Sequence, residues 1–304
     1  MEIIKSIVLK AINEKAIQKM KSINYKKSIF TALVFTALWI FSSCGDLLNP
    51  QPVDRISDEL VIQDVGSARV ALNSVYRAFV SFTAPKIIAG DLTADNLIHN
   101  GTFTQYLEIS NKQMSASNES ASAMWSVIYS LAYRANFLLE GLENISISEN
   151  AFDEFTATAR FFRGYAYFVG LTTFGGIPIV TNTEIAENRV IPRSSIADVR
   201  AFIEEDLLYA LNKLPLTPIN AGELSNGAVK ALLARFYLYT EDWEKAELFA
   251  SEVIQGIGTR GYTLEADFNN VLRDFSTESI LEVIYTANDN PGTSTDFGLN
   301  NLFE

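Results

Sequence analysis

The chain of 304 residues holds one cysteine, Cys44, and one histidine, His99. A single cysteine excludes a disulfide framework and a cysteine-based zinc site within the chain. A single histidine argues against a multi-histidine metal centre, and neither residue has the partner motif of a Ser-His-Asp or Cys-His enzyme. No phosphate-binding P-loop and no dinucleotide fingerprint is present. Positive charge is scarce, with 24 Lys and Arg against 36 Asp and Glu, a formal balance of −12 that disfavours nucleic acid as a partner. Proline is also sparse, at eight residues. No cofactor and no metal is called for by these patterns.

What is present is a packed-core composition, 48% apolar and 20% charged, which opposes disorder. The charge is unevenly placed. Residues 1–43 carry seven lysines and two glutamates, so removing them leaves 17 basic and 34 acidic residues from Cys44 onward, a balance of −17. This basic head contains Lys21 to Lys27, then the 13-residue apolar run Ile29 to Phe41, then Ser42, Ser43 and Cys44. A spanning helix needs about 20 apolar residues, so the run reads as the core of a secretory signal. Small residues before a cysteine at that point resemble a bacterial lipobox, in which the cysteine thiol is lipidated and becomes the mature N-terminus. Phe41 stands where the usual lipobox has leucine. The competing reading is a plain secretory signal with an incidental Cys44. Because Met20 and Lys21 begin a complete signal on their own, Met20 is the expected true start. The boundaries expected are a signal at 1–43, a lipidated tether at 44–56 containing Pro50 and Pro52, and one domain at 57–304.

The body reads as mainly α. Apolar residues at spacings of three and four predict helices over about 64–80, 119–142, 151–171, 196–214, 225–240 and 242–255. Asp64, Ser194 or Ser195, Ser225 and Asp242 are the expected N-caps. Residues 83–117 read as loop-rich, on account of Pro85, Gly90 and Gly101. Gly175, Gly176 and Pro178 end the third helix, and 177–181 follows as an extended run. The last two helices read as a hairpin, with Ala231, Leu232, Ala234, Tyr237 and Leu238 expected against Trp243, Ala246, Phe249, Ala250 and Val253. Phe161, Phe162, Tyr165, Tyr167, Tyr237 and Trp243 are assigned to packing. Ser279 to Tyr285 reads as a strand or an extended piece. Arg160 and Arg163 are expected to partner buried carboxylates or carbonyls. Glu204, Glu205 and Asp206 are read as a solvated helix face, since neighbouring carboxylates on a helix do not flank a sugar ring.

Several blocks in chain order resemble outer-membrane lipoproteins of the SusD/RagB type from Bacteroidetes. They are Cys44 to Pro50, Trp125 to Tyr129 with Ala135 and Asn136, Ala159 to Phe168, Phe174 to Pro178, Pro192 and Arg193, and Ile203 to Leu207. Further on come Gly227 to Arg235, Tyr237 to Tyr239, Asp242 to Ala246, and Glu278 to Val283. The likeness covers about residues 44–285. It implies a SusD-like helical fold with tetratricopeptide-like hairpins and short extended loop segments. It also implies a non-catalytic surface lipoprotein, anchored in the outer membrane by its lipid. Such a protein captures an oligosaccharide, or in some members a peptide, for a SusC-type TonB-dependent transporter. Family members usually continue well past residue 304, so the expectation is a chain truncated at its C-terminus. Competing readings are a helical protein-interaction scaffold, a surface glycosidase with two carboxyl groups roughly 5–10 Å apart, and a gene fragment without function.

Candidate ligand residues come from residue chemistry rather than from the family. Residues 90–106 mix amides, carboxylates and aromatics, which suits the directional hydrogen bonds and ring stacking that sugars require. Asp95, Asn96, Asn100, Phe103 and Tyr106 are the candidates, against the ordinary reading of a solvent loop. His99 is expected to be a surface residue without a role.

Overall fold

The computed structural model divides the chain into two units, Met1–Ser57 and Asp58–Glu304. It describes Lys15 of the first and residues 61–283 of the second, apart from 219, 221 and 272. Met20, Cys44, the apolar run before it and the 44–56 tether lie outside the described residues.

The first helix of the second unit, α1 (Val65–Val80), begins where the sequence predicts. Asp64 Oδ1 accepts from the Ser67 amide at 2.8 Å while Ser67 Oγ accepts from the Asp64 amide at 3.0 Å, a reciprocal capping box. Ala68, Ala71, Leu72, Val75 and Ala78 form its buried stripe. Residues 83–117 depart from the loop expectation. They contain α2 (Thr83–Thr93) and α3 (Thr104–Ser110). Pro85 is tolerated because it sits in the first turn of α2, where its missing N–H has no helical acceptor. Ile88, Leu92 and Ile109 make a small core of their own, joined by half-buried Leu97 and Tyr106.

The main core is built around α5 (Glu149–Phe174), which packs against α1, α4 (Glu119–Glu143), α7 (Ile196–Lys213) and α8 (Asn226–Tyr239). Neighbours on several sides explain the aromatic crowding of α5: Phe155, Phe161, Phe162, Tyr167 and Phe168 are all buried. Their rings meet edge to face, as Tyr76 and Phe162 do at 4.9 Å and Tyr167 and Phe202 at 4.9 Å. The helix ends at Gly175, whose φ of +73° suits a residue without Cβ. A Cβ on Gly176 would lie 2.2 Å from the Ser194 carbonyl oxygen. Arg193 closes this end by donating from Nη1 to the carbonyls of Phe174 (2.9 Å) and Gly176 (2.6 Å). A single turn, α6 (Ile185–Asn188), lies between α5 and α7.

The extended run 177–181 is fixed by side chains that the sequence blocks already contain. Tyr129 donates to the Pro178 carbonyl at 2.8 Å, Asn136 to the Val180 carbonyl at 2.9 Å, and the Val180 amide to the Tyr167 hydroxyl at 2.7 Å. Burial pushes the Tyr167 hydroxyl up to about 12. Arg163 completes this polar layer. Its Nε and Nη2 each donate to Asp206 at 2.8 Å, and Nη1 donates to Asn136 Oδ1 at 2.8 Å. Asp206 therefore corrects the solvated-face reading of the 204–206 run, because its side chain is 1% exposed while that of Glu205 is 71% exposed. The reason is angular: Asp206 falls on the Val199, Ile203 and Ala210 stripe of α7 that packs on α5.

The hairpin of α8 and α9 (Trp243–Ile254) forms as predicted, through Glu241 at φ +64° and the Asp242 cap. Tyr237 and Phe249 stack across it at 5.7 Å. Two of the residues expected to pack in it are largely open to solvent, Leu238 at 51% and Trp243 at 62%. At 100° per residue Leu238 points away from the Val229, Leu233 and Phe236 stripe, and Trp243 lies about 90° from that of Ala246, Phe249 and Val253. Trp243 is thus not the packing residue expected. Ser225 stands at the N-cap of α8 without a capping bond, its hydroxyl lying 3.3 Å from that of Tyr262. Residues 279–283 are irregular, and no strand occurs among the described residues.

Candidate functional site

The structure places the five sequence candidates on the α2–α3 connection and the first turn of α3. Two of them are engaged locally. Asp95, at φ +62°, pairs with Lys112 Nζ at 2.8 Å. Lys112 also donates to the carbonyls of Leu92 and Thr93 at 2.8 and 2.7 Å, so this pair finishes the C-terminus of α2. Asn96 donates from its amide and from Nδ2 to Asp91, at 2.9 and 3.1 Å. Asn100 is exposed.

Phe103 and Tyr106 are brought together, with His99 between them. His99 is half-buried and its ring centroid lies 6.1 Å from Phe103 and 5.3 Å from Tyr106, while the latter two are 5.7 Å apart. His99 Nε2 accepts from the Phe103 amide at 3.2 Å, which fixes the entry into α3. Phe103 is 56% exposed, whereas Tyr106 leans on the small core and burial raises its hydroxyl pKa. The result is an aromatic cluster with one open ring. His99 organises this cluster, a role that its isolation in the sequence did not suggest.

A second feature was not foreseen. A cleft of about 560 Å³ opens between α2, the start of α4, the end of α5 and α8. Its floor is buried and apolar, formed by Ile109, Met124, Phe168 and Val169. Its rim is exposed, with Gly90 and Thr93 on one side and Thr173, Arg235 and Tyr239 on the other. The volume is that of a small-ligand pocket. Gly90, Thr93 and Ala94 of the 90–106 stretch line it, but none of the five candidates Asp95, Asn96, Asn100, Phe103 and Tyr106 does. Only the four-residue spacing of Arg235 and Tyr239, one turn apart on α8, was visible in sequence.

Among the described residues no group of three or more His, Cys, Asp or Glu is placed to hold a metal ion. Also among them, no helix is long and apolar enough to cross a membrane.

Residues 51–238 match the model of a SusD-like family described as starch-binding, associating with outer membrane. A SusD-like protein of Formosa agariphila is 27% identical over 269 residues, covering 86% of this chain and 52% of the relative. One from Bacteroides ovatus is 27% identical over 275 residues, covering 84% and 50%. The chain spans about half the length of the curated relatives it matches. Among solved structures, a laminarin-binding SusD-like protein superposes with a TM-score of 0.65 at 25% identity, over 72% of this chain and 51% of that one. A structure described with xylogluco-oligosaccharide gives 0.62 at 26% identity, over 71% and 45%.

Proposed function

The chain belongs to the SusD-like family, and on that premise we propose that it is a lipid-anchored protein of the outer-membrane surface. It captures oligosaccharides and delivers them to a SusC-type TonB-dependent transporter. The observation that carries this reading is the likeness, in sequence and in helical body, to proteins described with laminarin and with xylogluco-oligosaccharide. The work is binding and release, with no bond made or broken.

The geometry supports it in two ways. The open face of Phe103, backed by Tyr106 and His99, offers a flat apolar surface for the C–H face of a pyranose ring, and exposed Asn100, three positions earlier in the same loop, supplies both a donor and an acceptor. Asp95 and Asn96 hold the loop that presents them. The anchor in this proposal is Cys44. Each buried CH₂ contributes roughly 0.8 kcal/mol, so two or more acyl chains bind firmly where one is marginal.

Retention of the purified chain on immobilised β-glucan, xyloglucan and starch tests capture. Binding to at least one class, weakened by Phe103→Ala without a change in melting temperature, is the expected result. A folded chain that binds neither these nor an acidic oligosaccharide would overturn the reading. Cys44→Ala should release the protein from the membrane fraction.

A further inference from the structure

The cleft between α2, α4, α5 and α8 has an unusual charge for this chain. From Cys44 onward acidic residues outnumber basic ones two to one. The cleft walls nevertheless contain Lys86 and Arg235 and no aspartate or glutamate. Arg235 is exposed and takes part in none of the ion pairs between described residues. Lys86 Nζ is held by a neutral partner, donating to the Tyr165 hydroxyl at 3.1 Å and lying 5.3 Å from the centroid of that ring. Both cations therefore keep donors free for an anion. The Ser120 hydroxyl, also in the wall, is buried and has no hydrogen-bond partner.

Tyr239 supplies the second half of the argument. It is 59% exposed, it lies one helical turn beyond Arg235, and its ring is propped edge-on by Phe168 at 5.5 Å. A cation and an aromatic face one turn apart match a sugar ring that bears a carboxylate. The ring stacks on Tyr239 and the carboxylate meets Arg235 in a charge-assisted, fork-shaped contact. A neutral ring would fill the same space while covering two cations that nothing compensates, which costs affinity.

We propose that this cleft binds acidic oligosaccharides, with Arg235 and Lys86 recognising uronate carboxyl groups and Tyr239 stacking on the ring. This deepens the capture reading and rests on it. The neutral-glycan surface around Phe103 is separate in its residues, so the two can fail independently.

Calorimetric titration of the full chain with tetragalacturonate and a glucuronate tetramer, each beside its carboxyl-reduced neutral counterpart, tests the proposal. At least one acidic tetramer should bind, at least tenfold tighter than its neutral counterpart, with affinity falling as salt is raised. Arg235→Gln should weaken it roughly ten- to hundredfold with an unchanged melting temperature, since a hydrogen bond to a charged group is lost from an exposed side chain. Lys86→Gln should weaken it further in combination. Equal affinity for acidic and reduced tetramers, or an indifferent Arg235→Gln, overturns the proposal. So does tight decanoate binding with no response to either uronate, which would make the cleft a site for apolar acids. Loss of acidic binding with retention on neutral glycans sinks this inference and leaves capture standing, whereas a folded chain that binds no glycan removes both.

Discussion

Arg163→Met is the sharpest test of the core. Asp206 is 1% exposed, and its two oxygens each receive a 2.8 Å bond from Arg163. Among the described residues the only other cation paired with it is Arg160, at 3.8 Å. Removing Arg163 strands a buried carboxylate and leaves Asn136 Oδ1 without its donor. Breaking a buried pair from one side costs about 3–5 kcal/mol, and Arg160 offsets part of that. A loss of about 3–4 kcal/mol is expected in urea unfolding, or roughly 6–16 °C in melting temperature for a body of this size. Arg163→Met/Asp206→Leu should return to within about 2 kcal/mol of the parent, because an apolar pair has no charge to desolvate. The pH dependence follows from the same site. Burial pushes the Asp206 carboxyl up and Arg163 is the main pull against it, so the variant's carboxyl rises further. The folded variant then takes up a proton before the unfolded chain does, and its deficit shrinks as pH falls toward about 4. A single variant within about 1 kcal/mol of the parent, or a double variant no better than the single, would refute this account of the network.

Three further changes probe the end of α5 and the hairpin. Gly176→Ala drives a Cβ to within 2.2 Å of the Ser194 backbone oxygen, so a loss of about 2–4 kcal/mol in urea unfolding is expected; an unaltered midpoint would mean that the turn after α5 is not closed by Arg193 and Ser194 as described. In the hairpin, Phe249→Ala should cost about 3 kcal/mol because the ring is buried and stacked on Tyr237. Trp243→Ala should stay within about 0.5 kcal/mol of the parent, since most of its ring faces solvent; equal losses from the two would contradict the helix phases.

Helix positions were legible because their signals are local. Asp64, Ser195 and Asp242 each accept from a backbone amide three residues on, as capping chemistry dictates. What escaped the sequence reading was tertiary. α2 carries Pro85 and Gly90, which read as breakers, and α2 and α3 share a three-residue core whose members lie up to 21 positions apart, from Ile88 to Ile109. Asp206 escaped for a different reason. Three consecutive acids look solvated when read as a run, but a helix distributes them around its axis. Val199, Ile203, Asp206 and Ala210 follow one another at spacings of four, three and four, so the position of Asp206 was written in the helical period rather than in the local composition. Arg163, expected to seek a buried carboxylate, found this one.

The candidate ligand surface was harder to read, because the chemistry that binds sugars is also the chemistry that ends helices. Amides and carboxylates offer the same directional donors and acceptors to a hydroxyl group and to a backbone carbonyl. Asp95 and Asn96 illustrate the backbone use: one anchors the lysine that caps α2, the other folds back on Asp91. Phe103, with 56% of its surface open, illustrates the use that leaves a side chain available. Composition alone cannot separate the two, since each outcome depends on whether a partner lies within reach. The cleft is the opposite case. Its cations sit 149 positions apart, at Lys86 and Arg235, and only the packing of α2 and α8 around the end of α5 brings them to one cleft. An absence of carboxylates within an acidic chain is visible only after folding, because it is a property of a surface and of no segment. That selective absence is what distinguishes a surface built to receive an anion from one that merely contains two basic residues.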